Sequence, residues 1–207
     1  MTLRVALVAQ LTQAKHQETH TSIDNNWFKL LSNFDCSVHI LPNHMLSAKK
    51  LLKTLKPDAF ILSGGGDFTF DFANDPRSEL EHFILTNYKD TPILGVCRGM
   101  QAMHTISGGV LKKVDGHVQK QYSITLGCTT VSQNSYHDYG FDYCTEEYTP
   151  LSIANDGVIK AFRHKKYNWL GIMWHPERNN KAQDFNVELI NKLFFKVNNE
   201  STDFSSW

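Results

Sequence analysis

The sequence predicts an α/β protein: a mostly parallel sheet flanked by helices on both faces, with a small additional antiparallel strand region. Three observations predict it. Over the first half of the chain, short apolar runs rich in Val, Ile and Leu alternate with segments of helical periodicity. That is the pattern of parallel strands buried on both faces. One of these runs, in DAFILSGGG, leads straight into a glycine triplet, where a strand turns sharply into a loop. From about Val110 the runs shorten and loops separate them, which marks the antiparallel region.

The elements follow in order. LRVALVAQ, from Leu3, is apolar and valine-rich and reads as the first strand. In SIDNNWFKLLSNF, Trp27, Leu30, Leu31 and Phe34 recur at helical spacing, with Ser22 or Asp24 as the cap. CSVHILP is a second strand, and SAKKLLKTLK a helix closed by Pro57. DAFILSGGG is a strand running into the triplet Gly64–Gly66. DPRSELEHFILTNYKD is a helix carrying Leu80, Phe83 and Ile84 on one face. TPILGV is the next strand, and RGMQAMHTISGG a helix ended by Gly108 and Gly109. QYSITLG, LSIANDG and VIKAFRH are shorter strands. The apolar run Trp169–Trp174 is another strand, and DFNVELINKLFFKVNN an amphipathic closing helix. No repeat, low-complexity segment or linker interrupts the pattern. One domain over residues 1–197 is expected, with 198–207 as a flexible tail.

Composition narrows the function classes. Lys+Arg and Asp+Glu both number 21, so the formal charge is zero and no basic face for nucleic acid is expected. No run approaches the ~20 apolar residues of a membrane span, and the apolar start is too short for a signal peptide. A cytoplasmic protein without a membrane partner is expected, its oligomeric state left open. Cys36, Cys97, Cys128 and Cys144 form no CxxC pair and read as reduced thiols. The ten histidines are scattered without metal-ligand spacing, so neither a metal nor another cofactor is expected.

Chemistry concentrates at Cys97. Gly95-Val96-Cys97-Arg98-Gly99 has the form G-x-C-x-G with a strand before and a helix after, as in a nucleophile elbow. Small flanking residues let backbones approach, and the helix N-terminus favours a thiolate over a thiol. The N–H of Arg98 points toward the same spot and supplies half of an oxyanion hole. Gly65, in the triplet ending another strand at the same sheet edge, supplies the second donor. A thiolate nucleophile needs an imidazole partner, itself oriented by a third group. GIMWHPER provides His175 and Glu177 just past a strand end. Two residues apart on an extended piece, their side chains point the same way, so Glu177 can hold the imidazole. C-terminal ends of parallel strands share one edge, so Cys97 and His175 meet there. Cys36, Cys128 and Cys144 have no partnered base and read as structural; Trp27, Trp169 and Trp174 read as core or pocket wall.

Together GVCRGMQ, ILSGGGDF and WHPE resemble the class I glutamine amidotransferase superfamily, in that family's order from Leu3 to about Phe195. The resemblance implies a flavodoxin-like class I glutaminase fold and a Cys97–His175–Glu177 triad that attacks the γ-carbonyl of a glutamine-like group. It also implies that Gln101 helps hold the substrate. A loop around Asn134, Ser135, Tyr136 and His137 would cradle the α-amino and α-carboxylate ends. A small-molecule γ-glutamyl substrate is the implied partner.

Which branch is a separate question. The chain ends soon after the dyad with no synthetase following, and GGGDF replaces the G-G-P common in amidotransferases. Both favour a stand-alone hydrolase of γ-glutamyl amides, in the peptidase-like branch. The alternatives are a glutaminase subunit feeding a separate synthetase, and a non-catalytic binding protein that retains the fold. The compact length, NSYHDYG and WHPER most resemble the short bacterial hydrolases acting on γ-glutamyl-CDP-amidate in capsule phosphoramidate synthesis. Other relatives act on polyamine conjugates, folate polyglutamates and γ-glutamyl-γ-aminobutyrate. A diphosphate would need donors, for which Arg178, Lys112, Lys113 and His117 are the candidates.

Overall fold

The computed structural model describes residues 2–178 and 183–195. The expected tail at 198–207 and the last part of the expected closing helix lie outside them. In chain order the elements are β1 (Leu3–Val8), β2 (Gln10–Gln13), β3 (Thr19–Ser22), α1 (Asn26–Leu31), β4 (Cys36–Leu41), α2 (Met45–Leu55), β5 (Ala59–Leu62), α3 (Pro76–Asn87) and β6 (Ile93–Val96). They continue with α4 (Arg98–Ile106), β7 (Lys112–Lys113), β8 (Val118–Leu126), β9 (Thr129–Tyr136), β10 (Tyr139–Gly140), β11 (Tyr148–Ile153), β12 (Ile159–His164), β13 (Trp169–Ile172) and α5 (Gln183–Phe194).

Seven strands form one sheet in the order β11-β12-β13-β6-β5-β1-β4. The five from β13 to β4 are parallel, while β12 and β11 add an antiparallel edge. Along β1 the side chains alternate between two cores. Val5 and Leu7 pack with Trp27, Leu30 and Leu31 of α1 and Leu189, Ile190 and Leu193 of α5. Ala6 and Val8 pack with Leu52 of α2, Leu80 and Ile84 of α3 and Met103 of α4. Both sheet faces are therefore covered, which is why the central strands read as unbroken apolar runs.

Local chemistry sets the element ends. The Asp75 side chain accepts from the backbone N–H groups of Arg77 and Ser78, and Pro76 takes the first helical position of α3. Asp24 accepts from the N–H of Asn26 at the start of α1. Lys56 ends α2 in a left-handed conformation (φ 47°) just before Pro57.

Several elements depart from expectation. The β2–β3 hairpin has polar strands, β2 half-buried and β3 mostly exposed, without apolar alternation, so it leaves no strand signature. The segment with Asn134, Ser135 and Tyr136, expected as a loop, is the end of β9, paired along its length with β8. β11 begins at Tyr148 and contains Pro150, which an edge strand tolerates because one side needs no ladder donor. β13 stops at Ile172, short of the expected Trp174. Five of the ten histidines, His104, His117, His137, His164 and His175, are buried, more than scattered surface positions would suggest.

Two glycines let α4 lie on the sheet. A Cβ on Gly99 would come 2.2 Å from the Leu62 carbonyl oxygen, and one on Gly95 would come 2.4 Å from Met103 Sδ. Because the obstacle at Gly99 is backbone, Gly99→Ala should destabilise the fold by about 1–3 kcal/mol, read by denaturant unfolding. A wild-type midpoint would mean that the close approach of α4 to β5 is not required.

Candidate active site

Cys97 sits between β6 and α4 with φ 51° and ψ −102°, a conformation that side chains other than glycine seldom adopt. Backbone bonds hold it there. Its N–H donates to Ile172 O on β13 at 2.8 Å, and its carbonyl accepts from Gln101 N at 3.0 Å to begin α4. The side chain is nearly buried at the helix N-terminus.

His175 follows β13 at the same sheet edge. Its Nδ1 meets Glu177 Oε1 at 2.7 Å, which leaves Nε2 for Cys97. The local backbone differs from the extended piece expected: Pro176–Arg178 is a 3-10 turn. The turn, with the proline's fixed φ, brings the carboxylate back to the imidazole. Asn134 clamps the His175 backbone from both sides, its Oδ1 accepting from His175 N at 2.9 Å and its Nδ2 donating to His175 O at 2.8 Å. The ring also lies against Gly64, where a Cβ would meet His175 Cε1 at 2.4 Å. Any side chain at that position would displace the imidazole.

Burial opposes a charged His175, but hydrogen bonds to Cys97 and Glu177 and their negative charge outweigh it, and its pKa rises to about 9. Burial pushes Cys144 up to about 11 and raises Cys36 as well, which makes both poor thiolates.

A second buried charge cluster lies on the other side of Cys97. Arg77, buried in the first turn of α3, donates to the carbonyls of Ser63, Gly64 and Gly65 and to Glu81 Oε1 at 3.0 Å. The Arg98 side chain turns the same way, to Asp75 at 2.8 Å, Ser78 at 2.8 Å and Glu81 at 3.4 Å. Desolvation, with Arg98 close by, lowers Arg77 to about 10 against the pull of Glu81, so it stays charged at neutral pH. Only the Arg98 backbone N–H, opening α4, is left toward Cys97. Gly65 and Gly66 take φ of 91° and 74°, and Arg77 fixes their peptide planes from behind.

The remaining expected site residues divide. Tyr136 sets its ring edge toward His175, centroids 6.1 Å apart, and Arg178 lies over Tyr136 at 5.5 Å while flanking Glu177 Oε1 at 3.5 Å. Gln101 is buried and donates to Tyr139 O at 2.8 Å. Ser135 and His137 turn to Lys160, a residue the sequence pattern does not single out. The signal available was one charged residue inside the apolar run VIKAF. Lys112 pairs with Asp142 at the surface, and His117 is 1% exposed with both ring nitrogens engaged, so His117 is not free to meet a diphosphate. Among the described residues no group of His, Cys, Asp or Glu could hold a metal ion, and no helix is long and apolar enough to cross a membrane.

Residues 16–196 match the Glutamine amidotransferase class-I family. The chain belongs to that family. It is 30% identical over 141 residues to the gamma-glutamyl-CDP-amidate hydrolase of Campylobacter jejuni, covering 66% of this chain and 69% of the relative. It is 29% identical over 168 residues to the carbamoyl phosphate synthase small chain of Bacillus cereus, covering 75% of this chain but 43% of the relative. A glutamine amidotransferase of Thermotoga maritima shares the fold, with TM-score 0.67 and 16% identity over 93% of this chain and 86% of that chain. Family membership and a hydrolase among the relatives support an amidohydrolase.

The raised pKa of His175 has a sign. Folding favours the protonated ring, so this contribution to stability is complete below pH 6.5 and is lost as pH rises through about 9. In an NMR titration of labelled imidazoles, His175 should remain protonated at neutral pH and titrate near 9. A midpoint at or below 6.5 would mean that Cys97 and Glu177 do not support the charge.

Proposed function

We propose that the chain is a cysteine-dependent hydrolase of γ-glutamyl amides, with Cys97 as nucleophile, His175 as proton carrier and Glu177 as its orienting carboxylate. The observation that carries this reading is the Glu177-bound imidazole facing a cysteine held at a strained strand–helix turn. The thiolate adds to the γ-carbonyl, and the oxyanion forms against the N–H groups of Gly65 and Arg98. His175 gives its proton to the departing nitrogen and leaves a glutamyl thioester. Water, losing a proton to His175, then attacks the thioester, releasing glutamate and restoring the thiolate. Gln101, the β9 end from Asn134 to Tyr136 and the adjoining His137 shape the glutamyl site, Asn134 by fixing His175 and Gln101 by holding the Tyr139 backbone.

The favoured substrate is γ-glutamyl-CDP-amidate, giving cytidine diphosphoramidate for capsule phosphoramidate synthesis in a cytoplasmic setting. The Campylobacter relative supports it. The nitrogen stays on phosphorus in that reaction, so no ammonia channel is needed. Arg178, one-third exposed beside the dyad, is the cation best placed for the diphosphate.

A second reading, a glutaminase that delivers ammonia to a separate synthetase, is favoured by the carbamoyl phosphate synthase and GMP synthase relatives.

Three experiments test these readings. A γ-glutamyl chloroketone should label Cys97 rather than the exposed Cys128, and His175→Ala should nearly abolish turnover while Glu177→Gln costs less. Labelling elsewhere, or equal and negligible losses in the two variants, contradicts the triad. Offered γ-glutamyl-CDP-amidate, glutamine and γ-glutamyl-γ-aminobutyrate at equal concentration, the chain should turn over the nucleotide fastest. Faster release from glutamine would favour the ammonia-delivering reading.

A further inference from the structure

Lys160 is an ammonium buried where the mechanism above has no use for it. It is 2% exposed, and all three of its N–H bonds are taken: by His117 Nδ1 at 2.6 Å, His137 Nε2 at 2.9 Å and Ser135 Oγ at 3.3 Å. The face of Tyr122 lies 4.1 Å from the nitrogen. The acceptors are neutral. His137 Nδ1 faces the Tyr139 carbonyl at 2.9 Å and so carries its hydrogen there, leaving Nε2 as a lone pair. His117 Nε2 likewise faces Asp156 at 2.7 Å, leaving Nδ1 to accept. Burial, with the Lys160 charge beside them, lowers both rings, His137 to about 3. No carboxylate touches the ammonium among these bonds; Asp156 reaches it only through His117.

An uncompensated buried charge is costly, so its placement needs a reason. The backbone supplies one. Met173 N donates to Lys160 O, and Cys97 N donates to Ile172 O, each at 2.8 Å. Lys160 and Cys97 thus flank the same end of β13, two strand spacings or about 10 Å apart at the backbone. The end of β9 and the residue after it alternate between them: Asn134 and Tyr136 address His175, while Ser135 and His137 address Lys160.

We propose that Lys160 is a positioning residue whose fixed charge, acting across the end of β13, holds Cys97 as a thiolate. The inference rests on Cys97 being the nucleophile. The charged and titratable groups facing Cys97 are then His175 with Glu177, and Lys160 with its His117, His137 and Asp156 supports. Arg98 points away to Asp75 and Glu81. His175 surrenders its proton to the leaving group in every cycle. Lys160 does not, and so keeps the field on the sulfur constant through acylation and release.

Burial pulls Lys160 down to about 8, opposed by the charges of Asp156 and Cys97. That gives the test a signature that a structural role lacks. Alkylation of Cys97 by iodoacetamide is followed across pH by peptide mass spectrometry, in wild type and in Lys160→Met. Near neutral pH the variant should react about tenfold more slowly, because the cation that favours negative charge on the sulfur is gone. The two curves should converge above about 8, where wild-type Lys160 loses its own proton. A deficit equal at every pH, or none, overturns the proposal. Should Lys160→Met fail to fold, Asp156→Asn, on an exposed turn, removes the supporting carboxylate instead. Its reactivity advantage over free thiol should then fade at lower pH than in wild type; an unchanged profile overturns the proposal equally. If Cys97 is not the fastest thiol in the wild type, the nucleophile reading itself fails. Fast Cys97 labelling that ignores both variants removes only the role of Lys160.

Discussion

The turn at Cys97 is the constraint around which the molecule is arranged. A positive φ at a residue with a side chain costs about 1–3 kcal/mol and persists only where its surroundings determine it. Here they do so from three directions. β13 accepts the Cys97 N–H, α4 starts on its carbonyl, and Gly99 lets the helix close onto Leu62. The thiol is thereby lifted out of the sheet plane at the edge where parallel strands end, and every other site element is located relative to it.

Two buried charge clusters flank that turn and do different things. Arg77, Arg98, Glu81 and Asp75 are bonded to one another and, through Arg77, to the carbonyls of 63–65, with Glu81 Oε2 and Arg98 Nε left without a hydrogen-bond partner. They brace the glycine triplet and the start of α4, and answer why an arginine follows the cysteine: its side chain ties the elbow to α3. Breaking such a pair leaves a buried charge uncompensated, so the cluster acts as a rigid brace. Across β13, Lys160 is satisfied only by neutral acceptors, and its charge is left to act on its surroundings. Between the clusters stands His175, clamped by Asn134, backed by Gly64 and charged by its neighbours.

Much of this was legible in the sequence. The parallel core followed from apolar runs buried on both faces, and helix boundaries from Asp24, Pro57 and the glycines after α4. The elbow, the glycine triplet and the His-x-Glu pair were visible because their chemistry demands particular residues at short spacing. What escaped depends on distant partners. The β2–β3 hairpin has no buried face to impose alternation. β9 reads as polar because Gln133, Asn134 and Ser135 are buried against polar partners rather than apolar ones. Lys160 looks like a surface lysine until β8 and β9 fold over it, and the 3-10 turn at Pro176 reaches by another path the His175–Glu177 contact expected of an extended strand.

The central claim is that Cys97 forms a covalent bond to the glutamyl group. The most direct measurement is mass spectrometry of the intact chain and its peptides after acid quench during turnover of a γ-glutamyl amide, with His175→Ala as the comparison. A glutamyl adduct on the Cys97 peptide, present in the wild type and absent from the variant, is the predicted result. Product release with no adduct at Cys97, or an adduct on another residue, would contradict the account.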